Sequence, residues 1–161
     1  MQRKLLESGQ VAPEFELAGL DGKTHTLNNV LKEGPAVLVF YKNTCPVCQY
    51  ALPFLERLYQ SPSKGDARVF GVSQDGARDT KEFAGEFGLS FPMLMDESSK
   101  GYPASNEYGI SHVPSIFLVE TNGKVAMGWD GFSKADMESL GRRLSTEIFR
   151  PNEDVPSWKA G

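Results

Sequence analysis

The feature that most constrains this chain is an apolar run that leads directly into its only two cysteines. Residues 36–41 (Ala-Val-Leu-Val-Phe-Tyr) are almost entirely apolar, as expected for a strand covered on both faces of a sheet. Shortly after it comes Cys45-Pro46-Val47-Cys48, in which the proline suits the first turn of a helix. A strand that feeds a Cys-x-x-Cys helix start is typical of a thiol–disulfide redox site. The sequence therefore predicts redox chemistry on an α/β scaffold.

The two thiols are expected to have different roles. Cys45 falls at the helix N-terminus, where free amide N–H groups and the positive end of the helix dipole favour an anion such as a thiolate. Cys48 lies one turn further along the same face, so a disulfide between the two needs little backbone movement. We predict that Cys45 attacks a substrate disulfide and that Cys48 resolves the mixed disulfide. Lys42 is a candidate for tuning Cys45, although a solvated lysine at a strand end is the simpler interpretation.

Other interpretations of the cysteine pair explain less. A structural disulfide that closes so short a loop would stabilise the fold very little. Zinc needs about four ligands, and the chain offers two cysteines and two histidines, His25 and His112, far apart in sequence. An iron–sulfur cluster would lack its cysteines. We therefore predict no metal and no cofactor, and we leave a pair of buried, inert thiols as an open alternative.

Length and composition predict one soluble globular domain. The 161 residues suit a single domain, which we expect to span 1–161 and to end in an irregular tail over 149–161. The net charge is −4 and no stripe of Lys or Arg appears, which argues against a nucleic-acid partner. No apolar run approaches the length of a membrane span, and the first residues lack the apolar region of a signal peptide. We expect a cytoplasmic protein, although a trimmed exported protein would look the same.

The order of the elements predicts a central mixed sheet flanked by helices. Turn signals, apolar alternation and helical periodicity define each element. In chain order they are a hairpin turning at Asp21-Gly22, a strand over 36–41, a helix over 46–59, a strand over 68–73, a helix over 75–87, an extended segment over 91–95, a short helix over 103–108, a hairpin of 115–120 with 124–129 across Asn122-Gly123, and a last helix with Met137, Leu140, Leu144 and Ile148 on one face.

With these elements in order, the chain resembles the thioredoxin superfamily, in the branch of TlpA-like thiol–disulfide oxidoreductases and AhpC/TSA-type peroxiredoxins. The resemblance spans roughly residues 9–149. It implies a thioredoxin-like α/β fold with a central mixed β-sheet flanked by helices, an N-terminal β-hairpin extension and a βα insertion. It is carried by the opening segment 9–17, the cysteine motif with Pro53 behind it, the segment 108–115 (Tyr-Gly-Ile-Ser-His-Val-Pro-Ser) and Asn122-Gly123-Lys124.

The resemblance also implies a substrate-binding edge beside the cysteines. It gives Pro114 the place of the family's cis-proline, next to Cys45. The backbone of Val113 then pairs with an extended substrate segment, which is recognition by strand addition. Thr44 and Pro46 flank Cys45 and are further candidates for substrate contact. From composition alone, a trans proline that opens a strand is the simpler interpretation of Pro114.

His112 is the remaining titratable candidate. It directly precedes Val113-Pro114, so the resemblance puts it near the thiols. Histidine is the side chain whose charge ordinarily changes closest to neutral pH. Tuning of Cys45 by His112 is therefore a hypothesis, and a neutral surface histidine is the simpler interpretation.

The chain departs from the family near the cysteines, and two of these departures remove an acid that in relatives moves protons to or from the resolving thiol. Thr44 stands where many relatives carry an aromatic residue, and Val39 stands where thioredoxins carry a buried aspartate. Ala51 stands where TlpA-like reductases often carry a glutamate. Glu56 lies over two helical turns beyond Cys48, and about 12 Å along the axis is too far for proton transfer. We therefore predict slow or water-assisted deprotonation of Cys48.

The peroxiredoxin pattern Pro-x-x-x-Thr/Ser-x-x-Cys is also missing: seven residues before Cys45, Leu38 stands in place of the proline, and three residues before it, Lys42 stands in place of the Thr or Ser. Cys48 fits this pattern no better. The leading hypothesis is a thiol–disulfide oxidoreductase that acts on a disulfide-bearing protein or a small thiol substrate and takes electrons from a thiol donor. An antioxidant thiol peroxidase and a non-catalytic binding module that uses the Pro114 edge are the alternatives.

Overall fold

The structure, a computed structural model, describes residues 3–161. Its strands are β1 (Glu16–Gly19), β2 (Thr24–Thr26), β3 (Ala36–Tyr41), β4 (Arg68–Ser73), β5 (Met93–Met95), β6 (Ser115–Val119), β7 (Val125–Asp130), β8 (Phe132–Ser133) and β9 (Trp158–Lys159). Its helices are α1 (Leu27–Leu31), α2 (Pro46–Gln60), α3 (Ala77–Phe87), α4 (Pro103–Glu107) and α5 (Lys134–Arg143). Along residues 3–161, no helix combines the length and apolar character that crossing a bilayer requires.

Seven strands form one mixed sheet in the order β2-β1-β5-β4-β3-β6-β7. β3 runs parallel to β4 on one side and antiparallel to β6 on the other. All six residues of β3 are completely buried, which explains why the strand is apolar without alternation. Val37, Val39 and Tyr41 point to the face that carries α2, whereas Leu38 and Phe40 point to the opposite face.

The observed sheet confirms the predicted fold class of a central mixed sheet between helices. The predicted strands 36–41 and 68–73 have the observed bounds, and the predicted cysteine helix is α2. The hairpins at Asp21-Gly22 and Asn122-Gly123 are both present. Helix α1 was not predicted from the sequence; it begins where the side chain of Thr26 accepts a hydrogen bond of 3.2 Å from the Asn29 amide.

The last helix is shorter than predicted. It ends at Arg143, so that Leu144 closes the helix and Ile148 lies beyond it. The chain turns because Ser145 adopts a left-handed conformation and the Thr146 amide donates to the Gly141 carbonyl at 2.8 Å. Both Leu144 and Ile148 are nevertheless buried in the core. The apolar stripe therefore predicted correctly which residues are buried, but it predicted too long a helix.

The segment 149–161 contains one short strand and is tied to the rest of the fold. Its residues Trp158–Lys159 form β9, which pairs antiparallel with β8. Val155 is buried in the core, and Glu153 holds Arg57 of α2 through two hydrogen bonds of 2.7 Å. This part of the chain therefore has a defined path across the surface near α2.

Candidate active site

Three stretches that are distant in sequence meet at one edge of the sheet. β3 ends beside the end of β4, where Tyr41 is paired with Ser73. β6 runs the other way, so that its first residue, Ser115, lies opposite Phe40. The loops that follow β3 and β4 and the loop that precedes β6 therefore converge. The cysteine motif is in the first of these loops and at the start of α2.

Cys45 is the N-cap residue of α2, and Pro46 occupies the first helical turn. The Cys45 Sγ accepts a hydrogen bond from the Cys48 amide at 3.2 Å and donates to the Val113 carbonyl at 3.4 Å. Its side chain is partly exposed. The sulfur therefore lies at the N-terminus of α2, beside amide groups that have no partner within the helix.

Cys48 lies one turn deeper and is completely buried in the apolar cluster of α2. Burial is the main cause that raises the pKa of the Cys48 thiol far above its usual range. The hydrogen bond with Cys45 and the charges of Cys45 and Asp75 raise this pKa further, against an opposing effect of the Lys42 backbone. Both cysteines are free thiols in this structure. The pair therefore consists of one accessible sulfur and one buried, protonated thiol.

The Val113-Pro114 peptide bond is cis, and Pro114 is buried. Two hydrogen bonds hold this loop: the Ser115 hydroxyl donates to the His112 carbonyl at 2.7 Å, and the Gly131 amide donates to the Pro114 carbonyl at 2.8 Å. The loop thus presents the Val113 carbonyl to the Cys45 sulfur. The two residues are 68 positions apart in sequence.

The remaining predicted site residues fall into two groups. Thr44 and Pro46 are exposed on either side of Cys45. The Lys42 ammonium lies over the Tyr102 ring, 5.8 Å from its centroid. The imidazole of His112, whose side chain is 62% exposed, lies 3.7 Å from the Asp130 carboxylate. These contacts direct both candidate tuning groups towards partners other than the thiols.

The positions at which relatives carry a proton-transferring acid are apolar and fully buried here, since they hold Val39 and Ala51. The carboxylate of Glu56 is engaged elsewhere, because it accepts hydrogen bonds from the amide and hydroxyl of Ser90. Across the part of the chain that the structure describes, no three His, Cys, Asp or Glu side chains gather closely enough to hold a metal ion.

Asp75 is a site residue that was not predicted from the sequence. It follows β4, is partly buried, and accepts a hydrogen bond of 2.8 Å from the Asn43 amide in the loop before Cys45. Its charge acts on Cys48 and on Tyr41, whose own pKa is raised mainly by burial. A signal was available, because the ends of parallel neighbouring strands meet at one edge of a sheet. Asp75 follows one such strand and Cys45 follows the other.

The fold and the Cys-x-x-Cys pair at a helix start define a thioredoxin-like redox protein. Residues 8–127 match the AhpC/TSA family, and the chain belongs to this family. The predicted placement in the thioredoxin superfamily, in the branch that includes TlpA-like and AhpC/TSA proteins, is thereby confirmed. This family assignment rests on the match over residues 8–127, and it does not depend on an acidic residue at position 39 or 51.

Two relatives carry the name thiol–disulfide oxidoreductase ResA. The protein of Geobacillus thermodenitrificans is 31% identical over 118 residues, which cover 73% of this chain and 66% of the relative. The protein of Geobacillus kaustophilus is 30% identical over 132 residues, which cover 81% of this chain and 74% of the relative. These relatives confirm the predicted class of enzyme, a thiol–disulfide oxidoreductase.

Solved structures agree with the fold. The crystal structure of a Chlorobium tepidum protein, provisionally named thiol:disulfide interchange protein DsbE, has a TM-score of 0.76 and 27% identity. It covers 87% of this chain, and 96% of its own length is matched. The peroxidoxin BcpB of Mycobacterium tuberculosis has a TM-score of 0.70 at 23% identity, over 87% of this chain and 95% of its own length, and shares the fold.

Proposed function

We propose that this chain reduces disulfides by a two-step dithiol exchange in which Cys45 attacks and Cys48 resolves. The observation that carries the proposal is the asymmetry of the pair. The Cys45 sulfur is partly exposed and accepts a hydrogen bond of 3.2 Å from the Cys48 amide, whereas the Cys48 side chain is completely buried. An accessible sulfur at a helix N-terminus suits attack, and a buried neighbour suits intramolecular resolution.

In the first step, the Cys45 thiolate attacks one sulfur of the substrate disulfide. A bond forms between Cys45 and that sulfur, the substrate S–S bond breaks, and the second substrate sulfur leaves as a thiolate that takes a proton from water. The Cys48 amide and the start of α2 stabilise the attacking anion. The product of this step is a mixed disulfide between enzyme and substrate.

In the second step, Cys48 loses its proton and attacks the Cys45 sulfur. The mixed disulfide breaks, the substrate leaves fully reduced, and the enzyme holds a Cys45–Cys48 disulfide, so that two electrons have passed to the substrate. The Cys48 thiol gives its proton to water, because the two family positions for an acid hold Val39 and Ala51. A thiol electron donor then reduces the disulfide by the reverse exchange.

The substrate class is inferred from the edge beside Cys45. Val113 offers a backbone carbonyl 3.4 Å from the Cys45 sulfur, and Thr44 and Pro46 flank it at the surface. An extended segment that bears a disulfide could pair with this edge as an added strand. We propose a disulfide-bearing protein or a small disulfide as the substrate and a dithiol as the donor.

A cytoplasmic, reducing role is part of the proposal. The redox pair contains the only cysteines in the sequence, and proteins of reducing compartments do without structural disulfides. The glutathione poise of the cytosol would keep the pair as a dithiol, so electrons would flow from it to substrates. Acid quenching of cells followed by alkylation of free thiols should find mainly the dithiol; a mainly oxidised pair would contradict this role.

The decisive experiment compares two activities in one series of proteins. Insulin disulfide reduction and hydroperoxide consumption are measured for the wild type, Cys45→Ser and Cys48→Ser. We expect disulfide reduction without peroxide turnover, complete loss in Cys45→Ser, and a trapped mixed disulfide in Cys48→Ser. Faster turnover of hydroperoxide than of insulin would make the protein an antioxidant peroxidase instead. Undiminished binding of a partner by Cys45→Ser, with no reduction by the wild type, would indicate a binding module.

A further inference from the structure

The last residues of the chain run towards the cysteine pair. Residues 155–161, here called the strap, begin at the buried Val155 and continue through β9. The strap pairs with β8, with Lys159 opposite Phe132, and the Lys134 amide donates to the Ser157 carbonyl at 3.0 Å. The strap is therefore a short added strand next to the active-site edge.

Two side-chain contacts hold the strap and the residues just before it against α2, the helix that carries the cysteines. The Lys159 ammonium lies over the Tyr50 ring of α2, 5.2 Å from its centroid. Just before the strap, Glu153 binds Arg57 of α2 through two hydrogen bonds of 2.7 Å. The hydrogen bond from Arg57 is the main cause that lowers the pKa of Glu153 to about 2. The anchor therefore stays charged over the whole neutral range.

The strap ends against the carbonyl that also contacts Cys45. Gly161 lies so close to Val113 that a Cβ atom on it would overlap the Val113 carbonyl oxygen. The same oxygen accepts the hydrogen bond from the Cys45 thiol. The strap passes directly over Gly131, which has no side chain to block it. A Cβ at this position would lie 2.7 Å from the Trp158 ring and 2.8 Å from the Lys159 carbonyl. The end of the strap thus lies against the carbonyl with which, under the proposed function, a substrate strand would pair.

We propose that the strap selects which disulfides reach Cys45, by covering the Val113 edge until a polypeptide substrate displaces it. The inference rests on the function proposed above. A small disulfide needs only the exposed side of the Cys45 sulfur, which the strap leaves partly open. A disulfide within a polypeptide also needs the Val113 backbone, so its segment competes with the strap for one carbonyl.

The strap is built to be displaced at low cost. Its ladder with β8 has only two residue pairs, and a pairing that short is marginal by itself in water. Trp158 is already 54% exposed, so lifting the strap exposes little additional apolar area of this side chain to water. The apparent affinity for a polypeptide equals the affinity of the open form multiplied by the fraction of molecules whose Val113 edge is open. Weakening the strap should therefore favour polypeptide substrates selectively.

The test uses the full chain with Lys159→Pro, which removes the paired amide and the cation over Tyr50, and Lys159→Arg as the matched control. Reduction of insulin and of bis(2-hydroxyethyl) disulfide is measured for each. We expect Lys159→Pro to raise kcat/KM for insulin about fivefold and to change it less than about twofold for the small disulfide. Lys159→Arg should keep the wild-type ratio of the two rates.

Iodide quenching of tryptophan fluorescence reports the strap independently of activity, since Trp129 is buried and Trp158 is the accessible tryptophan. Quenching should increase in Lys159→Pro, with an unchanged thermal midpoint. Increased quenching with an unchanged ratio of the two rates overturns the proposal, as does quenching that stays at the wild-type level. A wild-type protein that reduces neither substrate refutes the proposed function, and the strap's selective role falls with it.

Discussion

The two faces of the central sheet are built from the same strands but are used differently. The cysteine face, which carries α2, α3, α5 and Val155, buries Cys48. The opposite face, which carries α1 and α4, buries a cluster around Phe40, Tyr108 and Phe117. β3 supplies both faces through alternate residues. The difference teaches that the chemistry depends on the loops at the strand ends, since the residues within β3 serve packing alone.

The polar atoms within the two faces show the same contrast. On the opposite face, the Tyr108 hydroxyl donates to the Pro13 carbonyl at 2.8 Å, which fixes the N-terminal segment. On the cysteine face, the buried Cys48 thiol lies one helical turn from Cys45, and the charge of the partly buried Asp75 helps to raise the pKa of that thiol. Buried polarity therefore fixes a chain segment on one face, and on the other it consists of a thiol that burial and a nearby charge keep protonated.

The largest expected effect separates chemistry from stability. Cys45→Ser should abolish disulfide reduction, by at least about a thousandfold, because a hydroxyl at the helix start is not a nucleophile for disulfides at neutral pH. The free energy of unfolding should change by less than about 0.5 kcal/mol, since Cys45 is a partly exposed residue. Insulin reduction and urea unfolding are the two measurements. Marked destabilisation by this substitution would show that the cysteine face also depends on Cys45 for packing.

Matched aromatic truncations test whether the two faces are functionally separate. Phe117→Ala on the opposite face and Phe132→Ala on the cysteine face should each lower the free energy of unfolding by about 3–5 kcal/mol. Both side chains are completely buried. Phe132 also lies in the strand that pairs with the strap, so only its truncation should alter the insulin-to-small-disulfide rate ratio. A changed ratio in folded Phe117→Ala would mean that the faces are coupled.

Asp75 gives a smaller effect that is confined to the second step. Asp75→Asn removes a negative charge that helps to raise the pKa of the Cys48 thiol. The pKa of Cys48 should therefore fall slightly, because burial, the main cause of its elevation, is unchanged, and resolution of the mixed disulfide at pH 7 should speed up by about threefold.

Rapid acid quench of the mixed disulfide measures this step directly. Asp79→Asn, in the exposed first turn of α3, is the control that removes an equal charge further from the pair. Slower resolution in Asp75→Asn would show that Asp75 accepts the Cys48 proton, so that its carboxylate assists the step.

The smallest expected effect concerns the anchor of the tail at acid pH. The folded-state pKa of Glu153 is lowered to about 2 from an ordinary value of 4.5, chiefly by its hydrogen bond with Arg57. The stabilisation is therefore complete above about pH 4.5 and is lost as the pH falls towards 2. Urea unfolding should show wild type slightly more stable than Glu153→Gln at neutral pH, with the difference vanishing near pH 2. A stability difference between the two proteins that does not change with pH would show that the ion pair is not its cause.

Local patterns were sufficient for most of the fold. The apolar run 36–41 and the Asn122-Gly123 turn each encode their structure within a few residues, and the strand and the hairpin were predicted correctly. Pro46 and the cysteine spacing likewise predicted the start of α2. These signals depend on backbone conformations and burial that neighbouring residues determine.

Apart from the approach of Val113 to Cys45, which the family resemblance implied, contacts between distant segments were not predicted from the sequence. The hydrogen bond between Asn43 and Asp75 depends on β3 and β4 being adjacent, and the approach of Gly161 to Val113 depends on the path of the whole tail. The early end of the last helix depends on the packing of Thr146 against Gly141. No local periodicity encodes such contacts, so composition suggested only an irregular tail.

The hydrogen bond from Cys45 to Val113 has a consequence for the newly made protein. Its two ends are separated by 68 positions, so a ribosome completes the motif long before it makes the loop opposite. The contact between Cys45 and the proposed substrate edge can therefore form only after the loop before β6 has been made and has reached the start of α2.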